Sequence, residues 1–328
     1  MKKRYWIPGA VVVVLAITYF TGPKLPEPVY DTALPRVPGN LAEIAQLVSE
    51  REAGQPIREG NNAHVRFHDS VPSKTEYAVI YLHGFGGSFG DAYPANYHLA
   101  DGLEANIYVA RWGAHGLEPP HSMVGFTAES AWAEAKEALT IGKAIGEKVV
   151  ILSTSTGGTL ALKLAAEFPQ DVHALVNFSP NVKDDMPGAW LLGTPWGAEI
   201  AALVGMTDGL REVSYEEPGA NQYFDTLFTT TALVHLQTLV ASTMTEATFQ
   251  KITCPVLTLY YYEDRLNEDE RVEVDVYPKM HATFATAKAE NVLKALPTPK
   301  THFLGSEIMS GDTETPVREA LRFLRGLE

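Results

Sequence analysis

With 328 residues and 45% hydrophobic side chains, the chain can bury a full core, and its length suits one large domain with an insertion as well as two small ones. Its 26 basic against 40 acidic side chains leave a formal charge of −14, which repels phosphate backbones and excludes nucleic acid as a partner. The single cysteine, Cys254, excludes an intramolecular disulfide and a thiolate-rich metal site, and reads as a small apolar residue near a strand start.

Lys2, Lys3 and Arg4 precede an apolar run from Tyr5 through Phe20 that includes Val11, Val12, Val13, Val14, Leu15 and Ile17. About 14–18 apolar residues is short for a spanning helix and long for a secretory signal. The run ends Thr18-Tyr19-Phe20-Thr21-Gly22, with bulky aromatics where a cleavage site takes small residues. Residues 1–22 therefore read as an uncleaved membrane anchor, with secretion as the outcome if the segment is cleaved. The basic cluster places the N-terminus in the cytoplasm and the body outside it, on the periplasmic side in a bacterium. Pro23, Pro26, Pro28, Pro35 and Pro38 then predict an extended spacer of about 50 Å that stands the body off the bilayer. Asn40 can cap a helix carrying Leu41, Ile44, Leu47 and Val48 at helical spacing and ending near Gly54, so residues 23–58 form a proline-rich linker and N-terminal helix.

From there short apolar runs alternate with helical stretches. The strands predicted are His64–Phe67, Tyr77–Leu82, Ile107–Ala110, Val149–Leu152, Ala174–Phe178, Val256–Tyr261 and Val292–Leu296, with helices over Ala128–Ile145, Gly158–Phe168 and from Pro316 to the end. Such alternation is the pattern of an α/β fold with a mainly parallel sheet flanked by helices. The rhythm breaks across an aromatic- and leucine-rich stretch that includes Trp190, Trp196, Tyr223, Phe224 and Phe228. The division that follows is a core from 59–182 and 251–328, interrupted by a helical lid at 183–250.

Three segments carry the chemistry. Val149 to Leu160 reads as a buried strand, a tight turn and a helix start with Ser155 at the apex, the arrangement of a nucleophile elbow. Strand and helix pass so closely there that the positions around the nucleophile must be small; Gly157 and Gly158 meet that demand, and Ser153 stands where a glycine is usual. Ser153 is the rival nucleophile, but bulky Ile151 would then occupy the tightest place. The second segment, Tyr81-Leu82-His83-Gly84-Phe85-Gly86-Gly87-Ser88, follows a strand, and its glycines let backbone N–H groups approach a ligand. With Phe89 at the last glycine position and no Gly-Lys-Ser/Thr, it is no nucleotide loop; the N–H groups of Phe85 and Thr156 are assigned as oxyanion-hole donors.

The third segment supplies the base. In the chain order nucleophile, acid, histidine, Asp264 follows the strand beginning at Val256, and His302 follows the strand ending at Leu296. Glu263 is the alternative acid and His281 the alternative histidine, while Glu268, Asp269 and Glu270 read as a solvated charge run. His64 and His68 lie four apart in a strand, where that spacing makes no metal site, and His115 and His121 read as loop histidines. No metal and no cofactor is called for.

With these pieces in register, the chain from about Tyr77 to its C-terminus resembles the α/β-hydrolase superfamily, and within it the lid-bearing monoacylglycerol-lipase-like or serine-aminopeptidase-like esterases. Ala110-Arg111-Trp112-Gly113-Ala114-His115-Gly116 and the final helix beyond Asp312 add to the likeness. The resemblance implies an eight-stranded type of sheet, with Ser155 as nucleophile, His302 as general base and acid, Asp264 as orienting acid, and Phe85 and Thr156 as oxyanion donors. It departs from the family at Ser153 and carries no substrate-specific pattern in the lid. The expected activity is hydrolysis of a small ester or lipid-like substrate with an apolar acyl group, by way of an acyl-enzyme. Peptidase, thioesterase and acyltransferase activities would use the same triad, and a non-catalytic binding protein on this frame is the alternative from another class.

Overall fold

The computed structural model describes residues 6–203 and 209–327. The apolar N-terminal run forms helix α1 (Trp6–Phe20), whose residues from Val11 to Leu15 are exposed. Its 15 residues span about 22 Å at 1.5 Å per residue, against a hydrocarbon core of about 30 Å. Among the described residues no helix is long and apolar enough to cross a membrane; Lys2, Lys3, Arg4 and Tyr5, which open the expected anchor, lie outside the described residues.

The proline-rich segment corrects the expectation of a spacer that stands the body off a bilayer. Residues 23–38 form neither helix nor strand, as their prolines require, yet they lie along the body as a strap. The Trp132 indole N–H donates to the Asp31 carbonyl at 2.7 Å, and Lys136 reaches the Asp31 carboxylate at 2.5 Å. The Tyr30 hydroxyl lies 2.8 Å from that of Ser242, and the Lys163 ammonium sits 4.4 Å from the Tyr30 ring centroid. Leu34 and Val37 pack on the core. Proline sets an extended backbone, but the tyrosine, leucine and valine between the prolines still gain by leaving water. Helix α2 (Leu41–Glu52) follows, capped by Asn40, whose side-chain oxygen accepts from the N–H groups of Ala42 and Glu43, and it buries Ile44 and Val48.

The core is a sheet ordered β1 (His64–Arg66), β3 (Asn106–Val109), β2 (Thr75–Leu82), β4 (Gly146–Thr154), β5 (Ala174–Phe178), β8 (Val256–Asp264), β10 (Asn291–Leu296), with a short β9 (Asn267–Glu268) paired on β8. All pairings are parallel except β1 with β3 and β9 with β8. Helices α3 (Ala95–Gly102), α4 (Ala128–Ile145) and α5 (Thr156–Glu167) follow β2, β3 and β4 in turn. The central strands are buried on both faces, which is why they read as continuous apolar runs and not as alternation. One hydrophobic cluster joins one face of the sheet to α4 and α5, and a second joins the other face to α3 and the C-terminal helix.

Between β5 and β8 the chain builds α6 (Gly197–Leu203), α7 (Ala220–Tyr223), α8 (Thr230–Thr243) and α9 (Glu246–Phe249), and also a two-stranded antiparallel ribbon of β6 (Leu210–Glu212) and β7 (Leu227–Thr229). The ribbon departs from the all-helical lid expected there; its strands are three residues each, too short to register as alternation. The remaining helices are α10 (Tyr277–Thr283) and α11 (Glu314–Arg325). A buried ion pair ties this insertion to the body: Arg58 Nη1 meets Asp225 Oδ1 at 2.8 Å, with the Asp225 side chain fully buried. Removing one member leaves an uncompensated buried charge. Asp225→Ala should therefore cost about 3–5 kcal/mol in urea denaturation, and Arg58→Met/Asp225→Ala should recover a large part of that loss.

Candidate active site

Ser155 sits between β4 and α5 with φ 54° and ψ −118°, a backbone region that an L-residue occupies only when its surroundings force it. The packing that forces it is visible at the neighbouring glycines. A Cβ on Gly157 would lie 1.9 Å from the Leu82 carbonyl oxygen, and one on Gly158 would lie 2.4 Å from Cβ of Pro180. Ser153, the departure from the usual glycine, is fully buried, and its hydroxyl donates to Asn177 Oδ1 at 2.8 Å across the β4–β5 register. The extra polar atom is thus satisfied by a partner on the adjacent strand. Ser153 faces Asn177, and Ser155 is the serine that reaches the cavity.

The cavity encloses about 400 Å³ and is lined by Ser155, Thr156, Phe85 and His302. Its apolar wall is built from Leu192, Val213, Phe228, Leu233 and Leu236, and Asp184, Arg211 and Arg271 line its polar part. A larger groove of about 760 Å³ runs along α11 between His98, Arg318 and Arg322, but no serine lines it.

His302 is buried and its Nδ1 is held by a carboxylate, though not the one expected. Asp264 lies at the exposed tip of the β8–β9 hairpin, where it accepts from the N–H groups of Leu266 and Asn267. Asp269 takes the expected place: its two oxygens stand 2.9 and 2.8 Å from His302 Nδ1, and it also accepts from the N–H groups of Arg271 and Val272. The difference arises because β8 runs on to Asp264 and then folds back through β9, so the loop facing the cavity begins later than the apolar run suggests. Of the expected charge run only Glu270 is exposed; Glu268 is half-buried and Asp269 between them is buried, while Glu263, the alternative acid, is exposed. Burial works to raise the Asp269 pKa; the neighbouring His302 and the hydrogen bonds outweigh it and hold the carboxyl below its usual range. His302 Nε2, on the opposite side of the ring, is buried with no hydrogen-bond partner among the described residues, and His302 shares the cavity wall with Ser155. His281, the rival histidine, is occupied elsewhere, with Asn291.

The loop after β2 is organised around Gly84. Its carbonyl lies 2.8 Å from His83 Nδ1 and accepts from the Gly87 N–H at 3.1 Å, while His83 Nε2 lies 3.1 Å from the Trp112 N–H. A carbonyl only accepts and an amide N–H only donates, so His83 is the neutral tautomer protonated on Nδ1. Burial outweighs the opposing Gly84 bond, lowers its pKa to about 3 and keeps it neutral. In the trans peptide between Gly84 and Phe85 the Phe85 N–H points away from that anchored carbonyl. Thr156 is the first residue of α5, where the helix leaves N–H groups without intrahelical partners. Phe85 itself stacks on Phe228 at 5.5 Å, and the insertion pins the loop further through the Asp225 N–H on Gly86 O. Among the described residues no group of three or more His, Cys, Asp or Glu could hold a metal ion. Cys254 is buried, which pushes its thiol up to about 12.

A parallel sheet of this order, with a serine at a strained strand-to-helix turn and a carboxylate-held histidine after a later strand, is the architecture of an α/β hydrolase. The chain belongs to the Alpha/beta hydrolase family, whose profile matches residues 79–305. No curated protein sequence matches it. Among solved structures it is similar to one described under "LipS and LipT, two metagenome-derived lipolytic enzymes", at 18% identity and TM-score 0.64, covering 82% of this chain and 99% of that one. It is also similar to the monoacylglycerol lipase of Paleococcus ferrophilus, at 14% identity and TM-score 0.56, covering 80% and 99%. Est1E from Butyrivibrio proteoclasticus with bound ferulic acid matches at 19% identity and TM-score 0.53, covering 84% and 98%. At such identities the likeness is one of fold.

The geometry separates the two aspartates experimentally. Asp269→Asn should slow labelling of Ser155 by a fluorophosphonate by roughly a thousandfold or more, as loss of the orienting carboxylate does in serine triads, whereas Asp264→Asn should leave the rate within about twofold.

Proposed function

We propose that this protein is a serine hydrolase of carboxylic esters with apolar acyl groups, acting through Ser155, His302 and Asp269. The observation that carries the proposal is the shared cavity. A serine on a strained turn, an unpartnered imidazole nitrogen held from behind by a buried carboxylate, and an apolar wall all face the same space. In this reading His302 Nε2 takes the Ser155 proton as the hydroxyl attacks the ester carbonyl. The oxyanion that develops is met by the N–H groups of Phe85 and Thr156. His302 returns the proton to the departing alcohol, and water, activated by the same nitrogen, then releases the acid. Asp269 stays ionised throughout and stabilises the imidazolium, in keeping with its lowered pKa.

The acyl chain is placed against Phe85, Leu192, Phe228, Leu233 and Leu236, since burial of each methylene against such a wall contributes about 0.8 kcal/mol. The names of the similar structures, lipolytic enzymes and a monoacylglycerol lipase among them, support an ester as the substrate. We also propose that the body works outside the cytoplasm. Lys2, Lys3 and Arg4 ahead of the apolar run support this, and cell fractionation against a cytoplasmic marker tests it.

Hydrolysis of p-nitrophenyl esters from acetyl to palmitoyl tests the central reading. Ser155→Ala should abolish turnover of all of them; a variant as active as its parent would sink the assignment. Leu236→Trp, which fills the apolar wall, should lower kcat/KM for the best chain by about tenfold or more, the scale on which apolar pockets discriminate, and change the acetyl ester less than about threefold. Activity on amides or thioesters in place of oxygen esters would move the substrate class and leave the triad standing.

A further inference from the structure

Below the glycine loop lies a buried carboxylate that the mechanism above does not use. Asp91, on the short turn Phe89–Asp91, is completely buried. Its Oδ2 accepts the Gly84 N–H at 2.7 Å, and its Oδ1 accepts the hydroxyl of Tyr81, which is also fully buried, in a short hydrogen bond. The Thr154 hydroxyl lies 3.0 Å from the same phenol oxygen; with the phenol proton committed to the carboxylate, Thr154 is the donor. The glycines of the loop are shaped around this group. A Cβ on Gly87 would lie 2.3 Å from Asp91 Oδ2, and one on Gly84 would lie 3.1 Å from it and equally 3.1 Å from Cβ of Ser155.

We propose that Asp91 is a positioning residue for the oxyanion hole. Through Gly84 on one side and Tyr81 and Thr154 on the other, it locks the loop that carries Phe85 to the strand end that carries Ser155 and Thr156. The proposal rests on the serine-hydrolase reading above. Gly84 is gripped at both polar atoms: His83 and Gly87 hold its carbonyl, and Asp91 holds its N–H. Two consecutive peptide planes are thereby fixed, and the second of them carries the Phe85 N–H. Preorganised donors stabilise a developing oxyanion because they need no reorientation when the charge appears, so a loosened loop costs transition-state binding and leaves ground-state binding largely intact. No cation meets Asp91 among the described residues, and burial pushes its carboxyl up to about 7 against the opposing bonds from Tyr81 and Gly84. Holding an acid there is costly, and a leucine would fill the space without that cost.

The test compares Asp91→Leu, Asp91→Asn and Tyr81→Phe in the full chain, with active sites counted by fluorophosphonate so that only folded enzyme is scored. Turnover is read with the best p-nitrophenyl ester and binding with a trifluoromethyl ketone, which forms the tetrahedral adduct. Asp91→Leu should lower kcat by roughly tenfold to a hundredfold, less than outright deletion of a donor, with KM within about threefold and ketone affinity falling in parallel with kcat/KM. Asp91→Asn keeps an oxygen for the Gly84 N–H and should recover to within about fivefold of the parent. If Asp91→Leu does not fold, Tyr81→Phe decides: kcat should fall by about threefold or more at unchanged KM, again with weaker ketone binding. Ketone affinity and kcat equal to the parent's in the variants that fold would overturn the role of Asp91. An active Ser155→Ala would instead overturn the reading beneath it.

Discussion

At the turn between β4 and α5 the chain has no spare volume. The Leu82 carbonyl of β2 stands where any side chain on Gly157 would go, and Pro180, just after β5, closes the other side at Gly158. Three parallel strands and a helix therefore meet around one residue, and the left-handed backbone of Ser155 is the only way through. The same crowding sets everything near it. Because β2 and β4 are in register from Tyr77 to Leu82, the loop leaving β2 emerges beside the loop leaving β4, so Gly84 and Ser155 become neighbours. The strands β8 and β10 continue the sheet in the same sense, so Asp269 and His302 arrive at the same edge from two other crossovers. Strain at one turn is held in place by the register of the whole sheet.

Much of this was legible in the chain itself because buried parallel strands announce themselves as unbroken apolar runs. The starts and ends of Tyr77–Leu82, Ala174–Phe178 and Val292–Leu296 fall within two residues of the observed strands, and α4 coincides with Ala128–Ile145. Those segments are decided by local pattern and burial together. The three-residue ribbon strands Leu210–Glu212 and Leu227–Thr229 are too short for periodicity to show, and one of them is exposed. The N-terminal strap was hidden for a different reason: proline reports backbone conformation and is silent about whether Tyr30 or Leu34 finds a surface to cover.

The acid shows the same limit at the level of one residue. Asp264 and Asp269 stand in one acidic stretch, and nothing in composition separates them. They differ in what surrounds them in space: one caps an exposed hairpin, and the other accepts two backbone N–H groups and an imidazole. A weak cue lies downstream, where Val272 and Val274 are both buried and show that the chain has turned inward by then. Ser153 carries the complementary lesson. Its hydroxyl enters a crowded turn where a glycine is usual, and Asn177 on the neighbouring strand accepts from it, a pairing that only register reveals.

The strap also fixes where the chain can be cut without harm. The backbone N–H of Trp196 donates to Pro23 O, its indole N–H donates to Thr18 O, and Leu25 packs with Leu192, Ala201 and Val234, so the first part of the strap belongs to the insertion that walls the cavity. Further along, Tyr30, Asp31 and Leu34 cover Trp132, Lys136 and the core beneath them. A protease acting near Gly22 would free the body from α1, breaking the Trp196 indole bond to Thr18 and keeping the Trp196 N–H bond to Pro23. One acting beyond Pro38 would strip a surface from α4 and α8 and leave the Lys136 side chain, 5% exposed, without its carboxylate. Loss of the N-terminal helix and integrity of the cavity roof are therefore separable at the first boundary and inseparable at the second.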